Sequence, residues 1–501
     1  MRRTGVGPNG TFRAKGARAA KAARAGWLAA LAVVLGAGEA AAGGFHVSVV
    51  GGRRDGMLAN LASPDDVTAI FHNPAGLPDL GGPRLELFGA PAFLDNDFRL
   101  RALDPARFPE INPARCGEEG RDPCPWPIGE DGVYQATLEP ESTFGVVPFL
   151  GFSTDLGFVS ERLHDLAVGV AVYAPDFYGG AYGASGPASY FMTEGYFAVV
   201  ATTVAVGWRV SEQLALGFNV SYEYMRLSLG RRLSFIDALT EPGAEPSSVA
   251  RAVQRTFGDA LFEFTGEDHG AGWTVSLLWT PLPPISAALT LGFSSPAKLS
   301  GPLLLRPTRE GVASFDDLAA LGVDLPTGLE VEMPIPPAIG VGLRVVPVPG
   351  LELGLDARFW LYQLYGEQRV TPLYRAGSTG IRPLTAESLS QPKDDDVSLE
   401  IALGAMFRPP GLAELELMVG AGFDLSPVPD ETFSLDNPAP STVLLSTGAR
   451  WQIDEHWRVA LGYIFMIYVP RDIRTSRLSP PANVSGGGFN HMPSVEVEVR
   501  F

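Results

Sequence analysis

Every second residue at the end of this chain is apolar: Val495, Val497, Val499 and Phe501 oppose Glu496, Glu498 and Arg500. Of the regular backbones, only an extended strand sends alternate side chains to opposite faces. The pattern recurs upstream. Val443, Leu445, Ala449 and Trp451 precede the turn Asp454-Glu455-His456, and Trp457, Val459, Leu461, Tyr463, Phe465 and Ile467 follow it. Val204, Val206 and Trp208 lead through Ser211-Glu212-Gln213 into Leu214, Leu216, Phe218 and Val220. The stretches at 351–361, 399–407 and 415–423 repeat it with Glu352, Asp356, Glu400 and Glu416 on the second face. In a dry core those carboxylates would be costly. A transmembrane barrel gives both faces a medium: lipid outside and a polar lumen inside. Trp208, Trp279, Trp451 and Trp457 stand near strand ends, as an interfacial girdle would.

Strand length supports the same reading. Strands of globular sheets run to about 5–6 residues, whereas crossing a bilayer as a strand takes about 9–11. Fourteen strands are expected, near 84–95, 142–153, 165–175, 194–210, 214–229, 271–280, 285–297, 338–346, 351–364, 397–408, 413–425, 441–453, 457–470 and 493–501. Long connections alternate with short ones, 230–270 against 211–213 for example, as external loops alternate with periplasmic turns. The fold class is therefore all-β, a 14-stranded antiparallel transmembrane barrel over 83–501 with both ends on the periplasmic side. A soluble β-sandwich is the competing arrangement. In the barrel Leu403 and Val419 face lipid, and Gly404 and Met418 face a lumen expected to tolerate arginine.

Residues 1–42 read as an export signal. Seven basic residues from Arg2 to Arg24 precede a 12-residue apolar core, Trp27 to Gly38, and Ala40-Ala41-Ala42 supplies a small-residue cleavage site. The core is shorter than the roughly 20 apolar residues of a spanning helix. Cleavage before Gly43 removes seven positive charges and one negative, taking the net charge from −18 to −24. So acidic a chain argues against nucleic acid as a partner. Cys116 and Cys124 are the only cysteines, and in an exported chain they suggest one loop disulfide.

Between the signal and the first strand, residues 43–82 do not alternate. Phe45, Ile70, Phe71 and Leu77 punctuate a stretch of small residues, and Asn73-Pro74-Ala75-Gly76 breaks it. A compact plug is expected here, with a disordered leader as the alternative. No catalytic constellation is legible: the six histidines are scattered, with no H-E-x-x-H and no G-x-S-x-G. No metal site, cofactor or nucleotide is implied. Two long loops carry apolar residues at helical spacing, Phe257, Leu261 and Phe264 after Ser247-Ser248, and Phe315, Leu318 and Leu321 after Ser314. These either pack on themselves over the barrel mouth or form a groove where an apolar ligand adsorbs.

An ordered set of short motifs adds to this reading. The Gly44-Phe45 opening, Asp65-Asp66, Asn73-Pro74-Ala75-Gly76-Leu77, Tyr173-Ala174-Pro175, Phe293 to Leu299, Pro334-Ile335-Pro336-Pro337 and Ser426 to Glu431 occur in one order along the chain. Together they resemble the FadL/TodX long-chain fatty-acid and hydrocarbon transporter family of the bacterial outer membrane. The resemblance implies a hatch within a 14-stranded barrel, passive uptake of a hydrophobic small molecule, and an external groove between the two apolar loops. It further implies lateral release near the third strand, where 167–171 are small. Terminal Phe501 resembles the signal read by the barrel-assembly machinery. The expected state is a monomer in contact with outer-membrane lipid. A general porin or a structural or adhesin barrel is the alternative.

Overall fold

The computed structural model describes residues 49–112, 116, 117, 122–138, 144–240, 244–320, 323–364, 366–382, 384–436 and 439–501. The export signal, its cleavage site and Phe45 lie outside them. Fourteen strands close a ring: β1 Arg84–Asn96, β2 Phe144–Asp155, β3 Leu166–Ala181, β4 Glu194–Ser211, β5 Leu214–Leu233, β6 Ala260–Leu282, β7 Ile285–Ser294, β8 Ala338–Val348, β9 Leu351–Trp360, β10 Ser398–Phe407, β11 Leu415–Leu425, β12 Thr442–Gln452, β13 Trp457–Asp472 and β14 Val484–Arg500. Each pairs antiparallel with the next. β1 also pairs with β14, Arg84 opposite Arg500 and Glu86 opposite Glu498, which closes the wall. No helix among the described residues is long and apolar enough to cross a membrane.

Alternation becomes two environments. Val204, Val206, Phe218, Val220, Leu403 and Val419 lie on the outer surface, while Thr203, Ala205, Asn219 and Ser221 are buried inside. The four girdle tryptophans, 45–57% exposed, stand beside the short turns, at one end of the apolar belt.

Above the outer rim the sequence reading and the structure part. The sixth strand starts at Ala260, not near 271, and its upper part pairs with a strand Ala297–Pro307. That strand pairs with Gly328–Met333, which pairs with Glu367–Leu373, so a small sheet stands on the rim. Outside the bilayer no lipid demands an apolar outer face, and Glu263, Glu267 and Asp268 interrupt the pattern that marks the spanning part. The last strand likewise begins at Val484, nine residues before its clean alternation. In the first long connection Cys116 and Cys124 form a disulfide, Cα atoms 4.8 Å apart.

Inside the ring lies the segment before β1, folded as α1 Gly52–Met57, α2 Ala69–His72, a 3₁₀ turn Pro74–Gly76 and α3 Leu77–Leu80. Val50, Leu58, Ile70 and Leu77 are buried against wall residues such as Phe149, Tyr173 and Ala205. Two wall glycines allow this approach. A Cβ on Gly404 would lie 2.0 Å from the Met57 carbonyl oxygen, and one on Gly217 would lie 2.1 Å from the Ala75 nitrogen. Met418 is buried beside Met57 in the same layer. The lumen at Gly404 and Met418 is thus filled rather than open, which corrects the expectation that these positions would tolerate arginine. Two hatch amides reach across the closing boundary: Gly52 N donates to Glu496 on β14 at 2.5 Å, and Val67 N to Glu86 on β1 at 2.8 Å.

Candidate functional site

Charged groups on the lumen face hold the hatch. Arg450 on β12 donates to both Asp65 oxygens, at 2.9 and 2.6 Å, and to Glu416 at 2.5 Å. Arg53 bonds Asp65 at 2.8 Å and also pairs with Glu352. Arg54 pairs with Glu400 at 2.5 Å, and Asp356 accepts the amides of Asn60 and Leu61 at 2.8 and 3.0 Å. Burial alone would raise the Asp65 carboxyl, but Arg450 and Arg53 overcome it and hold the group well below the usual range. Asp55 shows the opposite balance: burial pushes it up to about 7, against Ser494 and Arg54. The sequence reading singled out Asp65-Asp66 but none of these arginines.

The expected hatch residues act as a capped turn. Asn73 Oδ1 accepts from Ala75 N at 3.1 Å, capping the turn that Pro74 opens, and Asn73 Nδ2 donates to Leu61 O at 2.7 Å. Ala75 N also meets Ser276 Oγ on β6 at 3.1 Å. Asn73, Pro74, Ala75 and Gly76 are all buried.

Above this turn lies an inner cavity. Phe71 and His72 of the hatch floor it; Pro175 and Asp176 of β3, Asn219 and Glu223 of β5, Gly272 of β6 and Arg358 of β9 belong to its walls. A second cavity lies among the outer loops, its mostly apolar lining including Met192, Leu229, Phe262, Leu329, Val331 and Leu389. Phe262, Leu329 and Val331 sit on the rim sheet, which explains why helical spacing did not reveal them.

The six groove candidates do not share one surface. Helix α4 Ser248–Phe257 and the short helix α5 Asp316–Ala320 bring Phe257, Phe315 and Leu318 into a buried cluster with Phe235, ring centroids 5.4 and 5.6 Å apart. Leu261 and Phe264 belong to β6 instead. Phe264 packs with Phe262, Leu299 and Val331 directly beside the outer cavity, and Leu261 is half-buried. Leu321 lies outside the described residues. The helical spacing that joined 257 to 264 was accidental: Gly258, at φ 71°, ends the helix.

The wall has one break beside the inner cavity. β2 and β3 pair from Asp155 opposite Ala167 up to Phe149 opposite Tyr173, where their register ends. At the same level the β3–β4 register shifts between Tyr173 and Asp176. Pro148 and Pro175 stand there, and neither has an N–H to give to a ladder. The small residues 167–171 are paired on both sides, so the irregularity lies just beyond them.

Comparison with known proteins bears on the same architecture. A family model described as outer membrane protein transport protein (OMPP1/FadL/TodX) matches residues 33–486. No curated protein matches the sequence. Among solved structures, a Pseudomonas aeruginosa FadL homologue is 16% identical, with a TM-score of 0.72 over 91% of this chain and 100% of that one. The P. putida toluene transporter TodX is 14% identical, with a TM-score of 0.61 over 87% and 94% of the two chains. The Ralstonia pickettii toluene transporter TbuX is 15% identical, with a TM-score of 0.59 over 90% and 98%. At these identities the likeness is one of fold.

Proposed function

This chain belongs to the OMPP1/FadL/TodX family of outer membrane transport proteins, and from that premise we propose that it carries hydrophobic molecules, of the long-chain fatty-acid or hydrocarbon kind, inward by diffusion. It is a channel of the bacterial outer membrane and not an enzyme. Capture begins in the apolar cavity of the outer loops, where burial of apolar surface contributes about 25 cal/mol per Å². The ligand then passes to the inner cavity. Release is lateral, through the wall into the bilayer, with the hatch setting access.

The observation that carries this reading is one of position. The inner cavity is floored by Phe71 and His72 of the hatch and bounded by Pro175, at the level where β2 and β3 stop pairing. A ligand resting there has a short path between the two strands to lipid. Residues 1–42 serve as the cleaved export signal, 43–82 as the hatch and 83–501 as the barrel. The apolar belt meets outer-membrane lipid, and Phe501, 72% exposed at the periplasmic end, is available to the assembly machinery. One chain closes the ring, so a monomer suffices.

The path is tested by filling it. Ala174, buried between Tyr173 and Pro175, is replaced by Trp. Uptake of a labelled hydrocarbon into proteoliposomes should fall at least tenfold while the heat-modifiable gel band and ion conductance stay as in wild type. Unchanged uptake would remove the lateral route.

A further inference from the structure

The walls of the inner cavity are not charged as a site for a carboxylate would be. Asp176 and Glu223 both line it, each 4% exposed, on β3 and β5, the two strands that flank β4. Glu223 Oε1 accepts from Ser294 Oγ at 2.9 Å, and Gly272 makes the room, since a Cβ there would lie 2.2 Å from that oxygen. Glu223 Oε2 is screened from water and has no hydrogen-bond donor. A buried carboxylate oxygen without a donor is costly, so a turn of the carboxyl that brings it to a ligand donor in the cavity is stabilised.

The positive charge that a carboxylate ligand would need is committed elsewhere. Arg358 is the one Arg or Lys among the described cavity residues. Its guanidinium donates to Glu400 at 2.9 Å, to Asp356 at 3.1 Å and to Asn60 at 2.6 Å. Glu400 is shared with Arg54, so two arginines and two acids balance one another in this network. His72 Nε2 lies 2.6 Å from the Val50 carbonyl oxygen, and the Asn219 amide donates to Ile70 O at 2.8 Å. An anion entering the cavity would meet two carboxylates and a neutralised arginine.

From this arrangement we propose that the inner cavity takes an apolar molecule whose head is a hydrogen-bond donor, an alcohol or an amine, and that it discriminates against free carboxylates. The proposal rests on the uptake of hydrophobic molecules proposed above and narrows its substrate class, setting free fatty acids aside because they are carboxylates at neutral pH. Glu223 is the specificity-determining residue and Asp176 supports it. The apolar tail extends from the head past Phe71 and Ile335, both cavity residues.

The test uses the full chain in phosphatidylcholine nanodiscs, with protein-free discs subtracting simple partition. Decylamine, decan-1-ol and decanoate compete at pH 7.4 against radiolabelled decan-1-ol. The amine and the alcohol should displace the probe at concentrations at least tenfold below decanoate. Glu223→Gln should abolish the amine's advantage over decanoate, and Asp176→Asn should narrow it. If Glu223→Gln does not assemble, the wild-type ranking and Asp176→Asn still decide. Decanoate equal to or better than the other two, or an amine-to-decanoate ratio unchanged in the assembled variants, would overturn the proposal and leave hydrophobic uptake standing. Binding of the label no greater than in empty discs would sink both.

Discussion

Arg450 of the wall grips Asp65 of the hatch with two parallel hydrogen bonds, although 385 positions separate them in sequence. The guanidinium is 3% exposed and its partner's side chain 38%, so the pair faces the lumen on one side only. Planar, two-point pairing of this kind fixes orientation as well as charge. Asp65→Asn should cost the hatch about 1.5–3 kcal/mol, the range for hydrogen bonds to charged groups. Limited proteolysis between 49 and 82 should accelerate in detergent while the barrel band remains heat-modifiable. A proteolysis rate equal to wild type would mean the pair adds nothing to seating.

Asn73 offers a gentler perturbation. Its two side-chain bonds, to Ala75 N and Leu61 O, join the 3₁₀ turn to the earlier part of the hatch. Asn73→Ala should leave assembly normal, cost about 0.5–2 kcal/mol as a lost cap does, and lower uptake of a labelled hydrophobe. Deleting 43–77 should go further and open an ion-conducting pore, visible in single-channel recordings. A wild type that already conducts freely, with uptake indifferent to both changes, would favour a general porin.

Arginine scanning should separate lipid from hatch. Leu403 and Val419 are both 57% exposed on the outer surface, so Arg there should destabilise the barrel by about 2–4 kcal/mol near the midplane. Met418→Arg and Gly404→Arg act differently, because Met57 occupies the space on the inside. They should spare the barrel band and raise conductance by displacing the hatch. Loss of the band in all four variants would remove the distinction.

Asp55 predicts a pH dependence with a definite sign. Its carboxyl, ordinarily near 3.8, sits at about 7 in the folded hatch because burial favours the neutral form. The stability this contributes is full below 3.8, declines as the unfolded form loses its proton, and is gone once pH passes about 7. Wild-type hatch protection against protease should therefore fall between pH 5 and pH 8. Asp55→Asn should reduce that fall, and equal slopes would assign the pH dependence to other groups.

What could be read in advance follows from what the bilayer enforces. All fourteen strands were legible because lipid requires an apolar residue at every second position, as at Leu415, Leu417, Val419 and Phe423. The capped turn at Asn73 was legible for a local reason, Asn before Pro. The rim sheet was not, since Leu261 to Phe264 imitate helical spacing once lipid no longer acts on them. Nor were the ion pairs, whose partners are joined only by the closed ring: Arg54 and Glu400, or Asp65 and Arg450. Glu223 was hidden more simply. It is one inward position between Tyr222 and Tyr224, and only the fold shows that Asp176 lines the same cavity.

The two hatch amides that reach Glu496 and Glu86 land on either side of the junction between the first and last strands. That junction joins the two ends of the wall, and residues 52–67 act as a clasp across it from within. Plugging and mechanical reinforcement thus reside in one short length of chain. Any transport motion that pulled the whole segment free would release both of these bonds across the junction. Movement confined to the far end of the hatch, around Phe71 to Gly76, would leave the clasp shut. The protein can then yield to a passing solute without loosening its hold on its own circumference.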